Sequence, residues 1–297
     1  MSFRDIAAAL LVVWVWGVNF VVIKWGVHDL PPLLLGGLRF VLAALPAGWL
    51  IARPALPWPY VLAYGLSMGV GQFGLLFSAM AYGMPAGLAS VVLQAQAFFT
   101  LLLGGLWLGE RIALASLSGL LCASVGLWLI ASTHGANMTM LGFTLTLAAA
   151  LSWALSNLVV RRASQAGHRP DTLALVVWAS LVPPLPLLAA SLLFEGPARI
   201  GTALADLSRR GGLAVLYLAF IATLVGYSVW SRLLTRYPAG RVAPFSLLVP
   251  AVGLCSASWL LDERLTMQQL AGSACVLTGL LIHLSGGSLF ARLRRPA

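Results

Sequence analysis

The sequence predicts an all-α membrane protein: ten transmembrane helices in two inverted five-helix repeats, with both termini cytoplasmic. Three observations carry this. The first is composition. Hydrophobic residues make up 60% of the chain and charged residues 9%. Apolar runs of about 20 residues, the length that spans a bilayer as a helix, follow one another from end to end. No soluble domain of useful size is left over. The second is an internal repeat. Residues 85–111, PAGLASVVLQAQAFFTLLLGGLWLGER, return at 238–264 as PAGRVAPFSLLVPAVGLCSASWLLDER. The same offset of 153 pairs Gly119 with Gly272, Cys122 with Cys275 and Gly126 with Gly279. A second offset of 138 pairs Asn19 with Asn157, Pro32 with Pro170 and Pro46 with Pro184, so 15 residues are inserted between 184 and 238.

The third is the distribution of arginine and lysine. With the N-terminus inside, the inner segments hold 12 basic residues: Arg4, Arg53, Arg111, Arg161, Arg162, Arg169, Arg232, Arg236, Arg241, Arg292, Arg294 and Arg295. The outer segments hold 5: Lys24, Arg199, Arg209, Arg210 and Arg264. That bias satisfies the positive-inside rule. It accounts for the net charge of +10 better than nucleic-acid binding does. Five spans per repeat is an odd number, so residues 1–137 and 138–297 cross the membrane in opposite senses. Inverted repeats of this kind recur in secondary transporters, with the substrate site near the midplane between the halves. A membrane scaffold built from duplicated helices is the structural alternative.

Each span can be justified in order. Span 1, at 5–25, carries Trp14, Trp16 and Asn19. It follows a signal-like MSFRD start, but it is long enough to span and lacks a clear small-residue cleavage site, so it reads as a retained helix. Span 2, at 33–52, contains Arg39 and Pro46. Span 3, at 59–81, holds Gln72 and has Gly65 and Gly69 spaced for close helix packing. Span 4, at 87–107, carries Gln94 and Gln96. Span 5, at 112–131, presents Gly119, Ala123 and Gly126 as another packing face. Span 6, at 140–161, carries Trp153 and Asn157, one helical turn apart. Span 7, at 171–194, contains Pro183, Pro184 and Pro186; these kink the helix, as hinges or as fixed bends. The inserted stretch 195–211 places Ile200, Leu204 and Leu207 on one face, as a short interfacial helix or a solvated loop. Spans 8, 9 and 10 are at 212–234, 241–260 and 266–285.

Catalytic constellations are missing. All eight acidic residues sit at span ends or in loops, as do His28, His134 and His168, while His283 lies near the end of span 10. Cys122, Cys255 and Cys275 fall inside apolar runs with no metal-ligand spacing. The expectation is therefore no enzyme, no metal and no cofactor. The partners expected are a small amino-acid-like substrate and the lipid bilayer. No coupling ion is assigned, and duplication within one chain favours a functional monomer.

One charge stands inside a span. Burying Arg39 costs about 2.5–3.5 kcal/mol on insertion scales, so it needs a partner or a role. Either it meets a substrate carboxylate, or it bonds helix-end carbonyls and holds helices together. At about 1.5 Å per residue, Arg39 lies about 10 Å below the outer face, and Asn19, Gln72 and Gln94 fall in the same layer. Trp16 and Asn19 share a face. Trp153 and Asn157 do likewise, lower in the membrane. The candidate substrate site is thus Trp16, Asn19, Arg39, Gln72, Gln94, Trp153 and Asn157. On a regular helix Gln94 and Gln96 point about 200° apart, so only one of them should face a given cavity. The Glu110–Arg111 and Glu263–Arg264 pairs sit at opposite faces, as loop caps or gates.

The motifs WGVNFVVIKWG at 16–26, GLRF at 37–40 and the GER and DER helix ends resemble the EamA group of the drug/metabolite transporter superfamily. PPLLLGGLRF, GMPAGLASVVLQAQAFFT, MLGFTLTLAAALSWA and RVAPFSLLVPAVG extend the resemblance over essentially the whole chain. It implies ten helices in inverted repeats and a bacterial inner membrane. It also implies export of amino-acid-pathway metabolites, O-acetylserine and cysteine foremost, with a broader amino-acid or drug exporter as the alternative. The direction of transport comes from the resemblance alone. It supplies no site residues.

Overall fold

The computed structural model describes residues 1–110, 112–133, 137–168 and 171–293, with side chains outside 46–48, 239–240 and 285–293. Arg111, His134, Arg169, Pro170, Arg294 and Arg295, used above, lie outside the described residues, as do the side chains of Pro46 and Arg292. Among the described residues all regular structure is helical. The long helical segments are α1 (Phe3–Asp29), α2 (Pro32–Leu50), α3 (Trp58–Ala81), α4 (Ala86–Leu108), α5 (Leu114–Ala131), α6 (Met140–Gln165), α7 (Thr172–Glu195), α8 (Arg209–Arg236), α9 (Ala239–Ser246 and Val249–Leu261) and α10 (Met267–Leu293). Nine described helices are long and apolar enough to cross a membrane. In α2 the apolar stretch Pro32–Leu45 is shorter.

Side chains start several helices. Ser2 caps α1 by accepting from Asp5 N, Thr139 caps α6, Asp171 caps α7 and Ser208 caps α8. The ends of α4 and α9 share one device. Gly109 (φ 66°) and Asp262 (φ 53°) stand 153 residues apart in left-handed backbone. Glu110 N then donates to Gly104 O at 3.2 Å, and Glu263 N to Ala257 O at 3.3 Å.

Helical regularity is interrupted in matched places. α3 loosens to π-helix over Gly65–Phe73, and α8 does so over Tyr217–Val225. α4 breaks between Val92 and Ala95, and α9 between Ser246 and Val249. In a bilayer, irregular backbone is tolerated where protein or a cavity covers it, and π-segments gather at functional sites. α7 is also interrupted, between Ala179 and Pro184, and its second segment starts with Pro183 at the N-cap and Pro184 and Pro186 in the first turn.

Small residues let backbones touch. A Cβ on Gly126 would lie 2.5 Å from Gly272 O, and one on Gly119 would lie 2.5 Å from Gly279 O. The repeat-paired glycines are therefore where α5 crosses α10. A Cβ on Gly69 would overlap the Pro183 ring, so α3 rests on the interruption of α7. Without a hydrophobic drive between helices in lipid, close contact of this kind holds the bundle. The inserted stretch resolves as a short helix, Pro197–Ala205. Leu204 and Leu207 remain exposed, and Ile200 packs on the core.

Candidate functional site

A cavity of about 310 Å³ lies between the two halves. All seven residues of the predicted site line it: Trp16 and Asn19 from α1, Arg39 from α2, Gln72 from the π-segment of α3, Gln94 from the break in α4, and Trp153 and Asn157 from α6. The second half adds Tyr227 and Trp230 from α8, with Ser246 and Val249 from the break in α9. Among the described residues, Arg39 is the only charged side chain in the lining.

Arg39 is 2% exposed. Its Nε and Nη2 donate to Thr223 Oγ1 at 3.3 and 2.9 Å. Thr223 Oγ1 in turn donates to Leu218 O at 2.8 Å, a carbonyl within the π-segment of α8. The guanidinium lies over the Phe73 ring, 3.9 Å from its centroid, a favourable cation–π placement. The structural reading of Arg39 held that it bonds helix-end carbonyls. The structure replaces those carbonyls with a hydroxyl on α8. One nitrogen, Nη1, has no hydrogen-bond partner among the described residues, nor have Asn19 Oδ1 and Gln72 Oε1. Asn19 and Gln72 are 8% and 3% exposed. Buried polar atoms are almost always paired, so three unpaired ones on residues lining one cavity set this part of the bundle apart.

Asn157 and Trp16 are engaged. Asn157 Nδ2 donates to Gln96 Oε1 at 2.9 Å and to Thr100 Oγ1 at 3.1 Å. Trp16 Nε1 donates to Ala222 O at 3.0 Å, and its ring packs 5.2 Å from Tyr227 and 5.3 Å from Trp230. One expectation fails here. Gln94 and Gln96 both face the cavity, because α4 is not a regular helix at that point. Gln94 N, Gln96 N and Ala97 N donate three residues back, to Val91, Leu93 and Gln94 carbonyls, and the tightened turn changes the angle between the two side chains.

Sequence reasoning missed Tyr64, Thr223, Tyr227 and Trp230. Tyr227 and Trp230 do show helical spacing. However, Gly74 holds the place that the 153 offset matches to Tyr227, so the repeat gave no hint of it.

The cavity reaches the face that carries Ser2 and Arg236, where Thr172 and Leu234 line it. The opposite face is fastened. Glu195 accepts from Leu33 N at 2.7 Å and Leu34 N at 3.1 Å, and Glu263 accepts from Ala86 N at 2.7 Å and Gly87 N at 2.9 Å. Lys24 Nζ donates to Met80 O at 2.8 Å. Glu263 thus caps the start of α4 from the other repeat. Among the described residues no cluster of three or more His, Cys, Asp or Glu side chains is arranged to hold a metal.

The profile of the EamA-like transporter family matches residues 4–132 and again residues 140–285. The chain belongs to this family. EamA-like relatives align end to end. A "Probable amino-acid metabolite efflux pump" of Salmonella typhimurium is 51% identical over 299 residues, covering 100% of this chain and 99% of the relative. One of the same name from Escherichia coli is 50% identical and covers 96% of each. An uncharacterized transporter of Archaeoglobus fulgidus is 30% identical over 92% of this chain and 95% of its own. A solved crystal structure at 18% identity aligns with a TM-score of 0.63 over 99% of this chain and 100% of that one, a likeness of fold. The family and relatives' names describe EamA-like proteins as transporters rather than enzymes.

Proposed function

We propose that this EamA-like protein exports small amino-acid-pathway metabolites, O-acetylserine and cysteine foremost, across a bacterial inner membrane by alternating access. In this reading ten helices cross the membrane, both termini are cytoplasmic, and residues 1–137 and 138–297 are the two halves that rock. The observation that carries the substrate class is the trio of unpaired atoms: one cationic donor, Arg39 Nη1, and two amide acceptors, Asn19 Oδ1 and Gln72 Oε1. That set complements an amino acid. Its carboxylate meets Arg39 in a charge-assisted hydrogen bond, and its ammonium donates to the amides. Trp16 and Trp153 form walls, while Gln94 and Asn157 bond the remaining polar atoms. A lipophilic cation would meet Arg39 and no carboxylate.

The aromatic walls and the cavity volume also support a second, broader reading, in which larger neutral or aromatic amino acids are exported. Counterflow in proteoliposomes separates the readings. Vesicles hold unlabelled O-acetylserine or cysteine, with the labelled compound outside. Saturable accumulation, abolished by Arg39→Ala in folded protein, supports the first. Accumulation confined to aromatic amino acids overturns the substrate, and no solute movement at all would favour a non-transporting membrane protein.

A further inference from the structure

We infer that Glu110 and Glu263 are alternate latches. Glu263 caps α4 in the state described here, and Glu110 caps α9 when the cavity opens to the other face. The two glutamates stand 153 residues apart, as do Pro85-Ala86-Gly87 and Pro238-Ala239-Gly240. Both follow the same left-handed turn, with the same bond back to residues 104 and 257. The local backbone therefore presents both carboxylates alike. Their partners differ. Glu263 takes two backbone N–H groups at the start of α4, the end of a helix that attracts an anion. Glu110 instead accepts from Arg161 Nη1 of α6 at 2.5 Å.

Packing explains why only one latch is closed. The start of α4 lies against the end of α9: a Cβ on Gly87 would be 3.3 Å from Ala257 Cβ and 3.4 Å from Glu263 Oε2. The matched contact would set Gly240 of α9 against Gly104 of α4. That seat is occupied by the ion pair, since a Cβ on Gly104 would lie 2.7 Å from Glu110 Oε2 and 3.2 Å from Arg161 Nη1. The glutamate that would fasten α9 is thus held by Arg161 beside the surface α9 would dock on. Closing that face requires Glu110 to leave Arg161 and take the N–H groups of Ala239 and Gly240. Opening the opposite face requires Glu263 to let go of Ala86 and Gly87.

This inference rests on the transport reading, and the test separates the two. A reporter cysteine replaces Ser246, which lines the cavity, in a chain whose Cys122, Cys255 and Cys275 are alanine. Reconstituted vesicles are treated with a membrane-impermeant thiol reagent, and a cysteine at exposed Arg199 reports sidedness. Glu263→Gln removes a charge-assisted bond and is expected to raise labelling from the Asp29 face about tenfold relative to the Ser2 face. Arg161→Gln frees Glu110 and is expected to shift the ratio the same way. Glu110→Gln is expected to shift it oppositely, and Glu110→Asp, which keeps the charge, to restore it. A merely structural ion pair predicts that Glu110→Gln and Arg161→Gln act alike, and that result overturns the latch. Absence of solute exchange in the parent protein defeats the transport reading. Exchange with unmoved labelling ratios defeats the latch alone.

Discussion

Arg39 of the first repeat is tied to Thr223 of the second, with Nη2 2.9 Å from Oγ1. The bond joins a buried cation to a helix whose ladder is already loosened, for Thr223 Oγ1 also donates to Leu218 O. The rest of α8 positions the guanidinium only through this hydroxyl and the packing around it.

Thr223→Val keeps the shape and removes the hydroxyl. A buried charged donor then lacks its acceptor, which costs about 3 kcal/mol or more. The expected outcome is a lower unfolding temperature in detergent and at least tenfold slower counterflow, with Thr223→Ser close to the parent. A valine variant that transports at the parental rate would show that Arg39 needs no anchor.

Gln72→Leu should separate stability from function. Gln72 Oε1 is buried and unpaired, so an apolar replacement of similar size relieves about 1 kcal/mol or more. The variant is expected to melt at an equal or higher temperature while its KM for a zwitterionic substrate rises several-fold. Thermal unfolding and counterflow on one preparation check this. Lower stability with unchanged KM would assign Gln72 to packing alone.

Trp16→Phe loses the bond to Ala222 O and keeps most of the ring contact with Tyr227 and Trp230. One neutral hydrogen bond is worth about 0.5–1.5 kcal/mol net. A modest fall in stability is expected, together with a larger fall in transport, because the ring is free to turn on the cavity wall. Equal falls in both would point to a purely structural tryptophan.

Gly126→Val should be the most damaging change outside the cavity. Its nearest obstacles are backbone atoms, Gly272 O and Val276 N at 2.5 and 2.8 Å from the added Cβ. Backbone cannot swing aside as a side chain can, so about 2–3 kcal/mol or more is lost. Yield of monodisperse protein is the readout.

Much of this architecture was legible because a bilayer leaves few options. Apolar length points to the membrane helices, and the two matched stretches point to a duplicated unit, which the family profile also meets twice. The candidate site was suggested by depth: Asn19, Arg39, Gln72 and Gln94 are expected at one level, and all four line one cavity. What stayed hidden depends on departures from the ideal helix. The angle between Gln94 and Gln96 was reckoned along an unbroken α4, and the break after Val92 changes it. Thr223 reaches Arg39 from a π-segment, which has no sequence signature as plain as a proline. Glu110 and Glu263 match in sequence, and only coordinates reveal that they hold different partners.

The crossing of α5 and α10 carries a consequence for origin. Gly119 corresponds to Gly272, and Gly126 to Gly279. In the structure Gly119 meets Gly279 while Gly126 meets Gly272. Each contact is therefore the other with the partners exchanged, as at the isologous interface of a two-fold dimer. A lone five-helix unit inserted in both orientations would make the same pair of contacts with its own copy. Fusion of two such units would leave this surface intact while freeing the cavity side to diverge, with Arg39 on one half and Val177 in its place on the other.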